Sequence, residues 1–326
     1  MWRNIILFLI VVIFFNCTNQ NNQGLNLTYN NQLIIDGETH FNNIAQLTFS
    51  GENAEAYFSP DGKKLIFQGH DGEAICDQIY IMDIEKRKID LVSNGQGVTT
   101  CSYFKYPNAN KIIYSSTFLD DSACPPKPDY SMGYVWKLYP GYDIFSADLN
   151  GSNPISLTSS PGYDAEATYS FDGNKIIYTS LNSGDLELWT MNPDGTDKEQ
   201  LTDKLGYDGG AFYSHDGSKI IWRAYYPQTE KEISDYKYLL SDNSIRPMAL
   251  QLWVMNADGS NKKQITNNGS ANFGPFFFPK DNKIIFSSNM HDLKRRDFDL
   301  YSVNIDGSRL ERITYFDGFN AFPMFS

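Results

Sequence analysis

The sequence predicts an all-β chain, a six-bladed β-propeller of four-stranded antiparallel blades, and three observations carry that prediction. First, one phrase recurs six times: "AQLT" at 45–48, "DLVS" at 90–93, "ISLT" at 155–158, "EQLT" at 199–202, "KQIT" at 263–266 and "ERIT" at 311–314. Its apolar residue falls at 47, 92, 157, 201, 265 and 313, in steps of 45, 65, 44, 64 and 48 residues. The shorter steps match the roughly 40–50 residues of a propeller blade. Second, each repeat carries a turn such as "YFSPDG" at 57–62, "TYSFDG" at 168–173 or "FYSHDG" at 212–217, with looser copies at 104–110 and 276–282. Third, that turn is followed by β-rich runs, "KKLIFQG", "NKIIYSS", "NKIIYTS", "SKIIWRA" and "NKIIFSS". Aliphatic and aromatic residues in such short runs between turn signals read as strands.

The N-terminus departs from this grammar. Arg3 precedes eleven apolar residues, Ile5 to Phe15, with Cys17 just beyond. Eleven residues fall short of the roughly 20 of a membrane-spanning helix and match the apolar part of a secretion signal. The segment 1–17 resembles a bacterial lipoprotein signal, which implies lipidation at Cys17, although Phe15 and Asn16 stand where that pattern carries small residues. A conventionally cleaved or uncleaved signal with a chance Cys is the alternative. Residues 18–42, Asn/Gln-rich as far as Gln32, read as a flexible tether and lead-in strand. The propeller is expected over 43–326.

Within each unit an inner run enters the first turn and the β-rich run follows. A third run comes next, "QIYIMD", "YDIFSAD", "LELWTMN", "LQLWVMN" or "FDLYSVN", and closes in a Gly turn such as "DGT" at 194 or "DGS" at 258 and 306. The "QLT"-type strand ends the unit. Asp-Gly supplies the positive φ that tight turns demand. Four meandering strands repeated radially leave only short sheet edges exposed.

The two long steps each carry about twenty extra residues, at 117–141 and 225–249. Both fall between second and third strands, so both rise from the face on which the inner strands begin. They read either as binding loops on a rigid scaffold or as covers for blade edges. The last stretch, "FNAFPMFS" at 319–326, is in register with an inner strand. With Asn43 to Phe49 supplying the outer strand of the same unit, the sixth blade is expected to be incomplete, the sequence being C-terminally truncated by about two strands and their turns.

"FSPDGKKLIF", "WVMNADGS" and "QLT" together resemble the PD40, or TolB-like, six-bladed propeller family, over about residues 45–326. No Trp-Asp pair occurs, and Gly-His does not recur from unit to unit as it does in WD40 propellers. The resemblance implies an exported protein, periplasmic or anchored to the outer membrane of a bacterium, with Tol-Pal-type envelope processes as its context.

A formal net charge of -12 without a Lys/Arg-rich run repels phosphate backbones, so no nucleic-acid partner is expected, and contact with the membrane is expected only through an N-terminal lipid. No G-x-S-x-G elbow and no H-E-x-x-H occurs, and the repeats leave no stretch for a separate catalytic domain. The preferred reading is a non-enzymatic envelope scaffold that binds a protein, peptide or glycan on its loop face, without a cofactor. The alternative is a calcium-dependent hydrolase or lactonase-like enzyme at the channel mouth. A remnant without activity of its own is the third reading.

Candidate site residues are those that break the repeat. Asn53, Asp164, Asp208, Asn272 and Asn320 form an Asx column, the signature of turn architecture. Two positions later Glu55 and Glu166 stand where other units carry Gly210, Gly274 and Phe322. In the second strands Arg223 breaks the polar column Gln68, Ser115, Thr179 and Ser287. Arg223 either pairs with Glu166 or Asp208 or grips an anionic ligand group. The candidates for ligand binding are therefore Glu55, Asp164, Glu166, Asp208 and Arg223. Beyond Cys17, the cysteines are Cys76, Cys101 and Cys124, all toward one rim. In an exported protein one disulfide is expected, Cys124 with Cys101 or Cys76, and one thiol is left over. A zinc site of three thiolates and His70 would lack the C-x-x-C spacing.

Overall fold

The computed structural model describes residues 10–11, 27–71, 76–131 and 133–326. Cys17 and most of the apolar N-terminal run lie outside the described residues. Among the described residues, no helix is long and apolar enough to cross a membrane.

The repeats fold as five antiparallel four-stranded sheets, each meandering from an inner to an outer strand. Blade 1 comprises Glu52–Phe58, Lys64–His70, Gln78–Asp83 and Lys88–Leu91. Blade 2 comprises Thr99–Phe104, Lys111–Ser116, Asp143–Asp148 and Ile155–Ser156. Blade 3 comprises Asp164–Tyr169, Ile176–Ser180, Glu187–Met191 and Glu199–Gln200. Blade 4 comprises Tyr207–Tyr213, Lys219–Tyr225, Gln251–Asn256 and Lys263–Gln264. Blade 5 comprises Asn272–Phe277, Lys283–Ser288, Asp299–Asn304 and Glu311–Arg312. The second strands are buried on both faces, which is why they read as continuous apolar runs rather than alternating ones.

Where the sequence predicts six blades, the described residues form five complete sheets. The C-terminal stretch nevertheless takes the inner position of a further unit. Phe319 bridges Phe298 in parallel, as Tyr207 bridges Leu186. The amide of Phe58 approaches Met324 Sδ at 3.1 Å, and Phe325 packs on Phe278 with ring centroids 4.6 Å apart. The ring is thereby joined between blades 5 and 1. Ala45–Gln46, the outer strand expected of that unit, pairs with Ile10–Val11.

The part of the expected tether within the described residues is folded rather than loose. Leu27, Phe41 and Ile44 are buried, the Tyr315 amide donates to Glu38 at 2.9 Å, and His40 meets Glu311 at 3.0 Å. This stretch therefore covers the outer edge of blade 5. Apolar residues placed within the polar run gave it a face to bury.

The second insertion is not a plain loop. Glu230–Ser241 is an α-helix whose Thr229 and Glu232 form a capping box. The sequence "TEKE" satisfies two otherwise unpaired amides reciprocally, and Tyr236 and Leu239 anchor the helix through their buried side chains. The two insertions also pair with each other, Trp136–Lys137 against Ser244–Ile245.

Candidate functional site

Every inner strand carries the same irregularity. Pairing with the second strand slips between Ala54 and Tyr57, Thr100 and Tyr103, Ala165 and Thr168, Gly209 and Phe212, and Phe273 and Phe276. A β-bulge inserts one residue there and re-aims its side chain. The bulged residues are Glu55, Cys101, Glu166, Gly210 and Gly274, with φ between 52° and 58°, and Phe322 repeats the value at 55° in the C-terminal stretch. Glycine adopts this left-handed conformation freely, whereas another residue costs about 1–3 kcal/mol. Glu55, Cys101 and Glu166 thus hold functional groups at the axis against backbone strain.

These residues form the floor of a cavity of about 410 Å³ at the mouth of the axis. Its walls come from the insertions and the starts of the inner strands, chiefly Tyr130, Tyr134, Trp136, Tyr142, Tyr163 and Tyr207. A narrow extension beneath is bounded by Glu55, Cys101, Glu166, Arg223 and Phe322. Below it the axis is blocked. Tyr57 of blade 1 packs against Phe212 of blade 4 at 5.6 Å, and Phe212 against Phe276 at 5.3 Å. Contacts between blades 1 and 4 must cross the axis, so the cavity is blind.

Arg223 lies deep in the cavity and forms an ion pair with Glu166. Its Nε donates to the Tyr207 hydroxyl at 3.0 Å, and its guanidinium lies 5.2 Å from the Trp136 ring centroid. Glu166 also accepts from Thr179 Oγ1 at 2.9 Å, from the Gly210 amide at 3.0 Å and from the Tyr207 hydroxyl. Burial alone would lower the Arg223 pKa, but the Glu166 carboxylate raises it above its ordinary value. The glycine pair makes room for this network. A Cβ on Gly209 would fall 2.3 Å from a Glu166 carboxylate oxygen, and one on Gly210 would fall 2.3 Å from the Arg223 guanidinium.

Glu55 is different. Among the described residues it forms no ion pair, and burial pushes its pKa up to about 7, with Arg223 opposing the rise and Glu166 adding to it. Cys101 beside it is pushed well above its usual value, by burial first and then by Glu55 and Glu166, so its thiol is an inert one. Among the described residues Cys101 is the free cysteine, while Cys76 and Cys124 form a disulfide that ties the first insertion to blade 1. His70 Nδ1 pairs with Asp77 at 2.7 Å. No group of three or more His, Cys, Asp or Glu side chains among the described residues is arranged to hold a metal ion.

Of the five candidates, Glu55, Glu166 and Arg223 meet at the cavity floor, and Asp164 and Asp208 do not line it. Asp208 is buried between blades 3 and 4, where Oδ1 accepts from Trp222 Nε1 and from the Tyr226 hydroxyl. Asp164 is buried between blades 2 and 3 and accepts from Ser160 Oγ at 2.7 Å. Their place in the Asx column puts them at blade seams rather than on the axis.

No sequence family model matches the chain. Solved structures do match in fold. TolB from Acinetobacter baumannii superposes with a TM-score of 0.63 at 16% identity, over 86% of this chain and 59% of that one. In fold, this chain is a TolB-like β-propeller. A protein assigned as TolB in Agrobacterium tumefaciens gives 0.61 at 19% identity, over 84% and 85% of the two chains. Oligogalacturonate lyase in complex with manganese gives 0.54 at 12% identity, over 83% and 67%. The TolB-like fold thus covers most of this chain, which spans less than two thirds of the Acinetobacter TolB.

Proposed function

We propose that this chain is an exported, envelope-located propeller that binds a protein, peptide or glycan segment on its loop face, with a terminal group of that ligand entering the blind cavity. The observation that carries this reading is the cavity's construction. Two insertions from different blades pair with each other, the first is fastened by the Cys76–Cys124 disulfide, and that first insertion together with the starts of the blade strands presents aromatic walls above three strained, chemically distinct floor residues. Rigidly held aromatic surface supplies contact area at little entropic cost. Export rests on the signal-like segment and the disulfide, and anchoring rests on lipidation at Cys17. Labelled-palmitate incorporation into the full-length protein, lost in Cys17→Ser, tests the anchor.

A binding reading is favoured over catalysis because Glu166 and Arg223 saturate each other. Glu55, with its pKa near 7, is the observation that favours an enzymatic second reading, a hydrolase using it as general acid or base. Peptide and glycan arrays probed with the wild-type protein and with Trp136→Ala separate the outcomes. Retained ligands whose binding falls in the variant, at unchanged melting temperature, support the reading. Binding indifferent to Trp136, or turnover of a retained ligand that stops in Glu55→Gln, overturns it.

A further inference from the structure

We propose that the axial cavity selects an organic cation, an ammonium group on a slender stem that reaches down to Glu55; this rests on the cavity being the binding site. Charge balance is the first argument. Among the described residues, the ionic groups around the cavity are Glu55, Asp77 and Glu166 against Arg223 and Lys137. Both cations are already committed. Arg223 is paired with Glu166, and Lys137 turns to Asp242, 3.1 Å from its carboxylate. Asp77 is engaged by His70 and by Gln68 Nε2 at 3.2 Å. The uncommitted ionic group is therefore Glu55, and an anionic ligand would meet it with no free cation to offset the repulsion.

The walls make the second argument. Aromatic faces carry negative potential and attract cations within about 6 Å. The cavity already shows this in use, since the Trp136 ring and the Tyr207 ring, the latter at 5.7 Å, flank the Arg223 guanidinium. Tyr142 and Tyr163, also lining the cavity, meet edge to face at 5.6 Å, and Tyr130 and Tyr134 stack at 5.8 Å toward the rim. An ammonium descending between these rings loses its water to π faces and ends at a carboxylate.

The third argument is position. Glu55 borders both the main cavity and its narrow extension, above the Tyr57 and Phe212 plug. A ligand head that reaches the floor cannot pass further, so the carboxyl group is where it stops. Glu55 is held there in a left-handed backbone conformation that the equivalent positions of blades 4 and 5 assign to glycine. Cys101, Glu166 and Phe322 carry the same strain in other repeats, and of these bulged side chains Glu55 is the carboxyl group without an ion pair among the described residues, which marks a side chain kept for what it does.

Isothermal titration with N-acetyl-lysine methylamide, with its Nζ-acetylated neutral counterpart, with choline and with a neutral disaccharide tests the proposal. Lysine amide or choline should bind, and the acetylated and neutral probes should bind at least tenfold more weakly. The choice between the two cations distinguishes a basic peptide from a quaternary amine as the source. Binding should release a proton near pH 7, seen as a buffer-dependent heat, because the cation favours ionised Glu55. Glu55→Gln should abolish that release and weaken the cation at least tenfold, while Trp136→Ala should weaken the cation and leave the proton release in place. Preference for the disaccharide or the neutral probe, lost in Trp136→Ala but not in Glu55→Gln, overturns the cation and keeps the cavity as a binding site. Failure of every probe in the wild type, together with array ligands indifferent to Trp136, overturns both.

Discussion

Glu55, Glu166 and Arg223 make opposite use of burial. The Arg223–Glu166 pair is almost fully enclosed, with side chains 8% and 11% exposed, and each partner satisfies the other's desolvated charge. Removing one leaves an uncompensated buried ion. Arg223→Ala should therefore destabilise the fold by about 3–5 kcal/mol in urea unfolding, and Arg223→Ala combined with Glu166→Gln should recover part of that loss. Among the described residues Glu55 forms no ion pair, and it sits at positive φ, so Glu55→Gly should raise stability by about 1 kcal/mol, measured as a higher melting temperature, while removing the ionisable group from the cavity floor. These three residues were legible because they break repeat columns. Cys101 occupies the same bulge but was missed, because Thr99 stands where other units show Asx and the Thr99 hydroxyl pairs with Ser116 instead.

Strand-to-strand seams account for the remaining candidates. At the seam between blades 5 and the C-terminal stretch, Asn320 Nδ2 donates to Asp299 Oδ1 at 3.1 Å, across 21 residues of sequence. Between blades 4 and 5, Asn272 Nδ2 approaches Gln251 Oε1 at 3.4 Å across the same 21. The corresponding pair between blades 3 and 4 is Glu187 with Asp208, two acids, and Asp208 Oδ2 and Glu187 Oε2 are buried without a partner. Two carboxyl groups in such a place must share a proton. Burial first pushes Glu187 up to about 8 and Asp208 up to about 7; the charge of Asp208 adds to the rise at Glu187, Asp185 adds to both and Asp203 to Glu187, while hydrogen bonds of Thr202 to Glu187 and of Tyr226, Trp222 and Glu187 to Asp208 oppose the rise. The folded state therefore keeps a proton that the unfolded chain releases near pH 4. The stability this contributes is complete below about pH 4 and is lost as pH rises toward 8. Asp208→Asn creates the amide–acid pairing that Asn320 and Asp299 show at the seam with the C-terminal stretch. It should flatten the decline in melting temperature between pH 5 and 8 and stabilise the protein by about 1–3 kcal/mol at pH 8. Sequence alone placed Asp164 and Asp208 in an architectural column. What it did not show is the partner strand that each one faces, 21 residues upstream.

At the scale of the ring, closure depends on residues 319–326. Met324 fills the space beside the Phe58 amide, Phe325 packs on Phe278, and both side chains are buried. Met324→Ala should cost about 2–5 kcal/mol, read from urea unfolding, because the cavity it leaves lies where the first and last blades meet. The same geometry sets the working face. Because the insertions leave blades 2 and 4 between second and third strands, they converge over the one end of the axis at which the inner strands begin. The Tyr57, Phe212 and Phe276 contacts close the path below. A disc with a blind, roofed pocket on one face follows from where two twenty-residue insertions fall in the repeat.

Periodicity, Asp-Gly turns and short apolar runs by themselves determined the propeller, the order of its strands and the face that carries the insertions, because each is a local signal with a fixed physical meaning. The helix at Glu230–Ser241 went unread in the sequence, although its capping box "TEKE" is a local signal, because the insertion was expected to be a loop among strands. Tertiary structure alone decided that Cys76, rather than Cys101, joins Cys124, that Arg223 meets Glu166, and that Trp136 and Tyr207 flank the same guanidinium. Those partners come from different blades, and a radial fold brings them together at its axis by a curvature that no stretch of sequence contains.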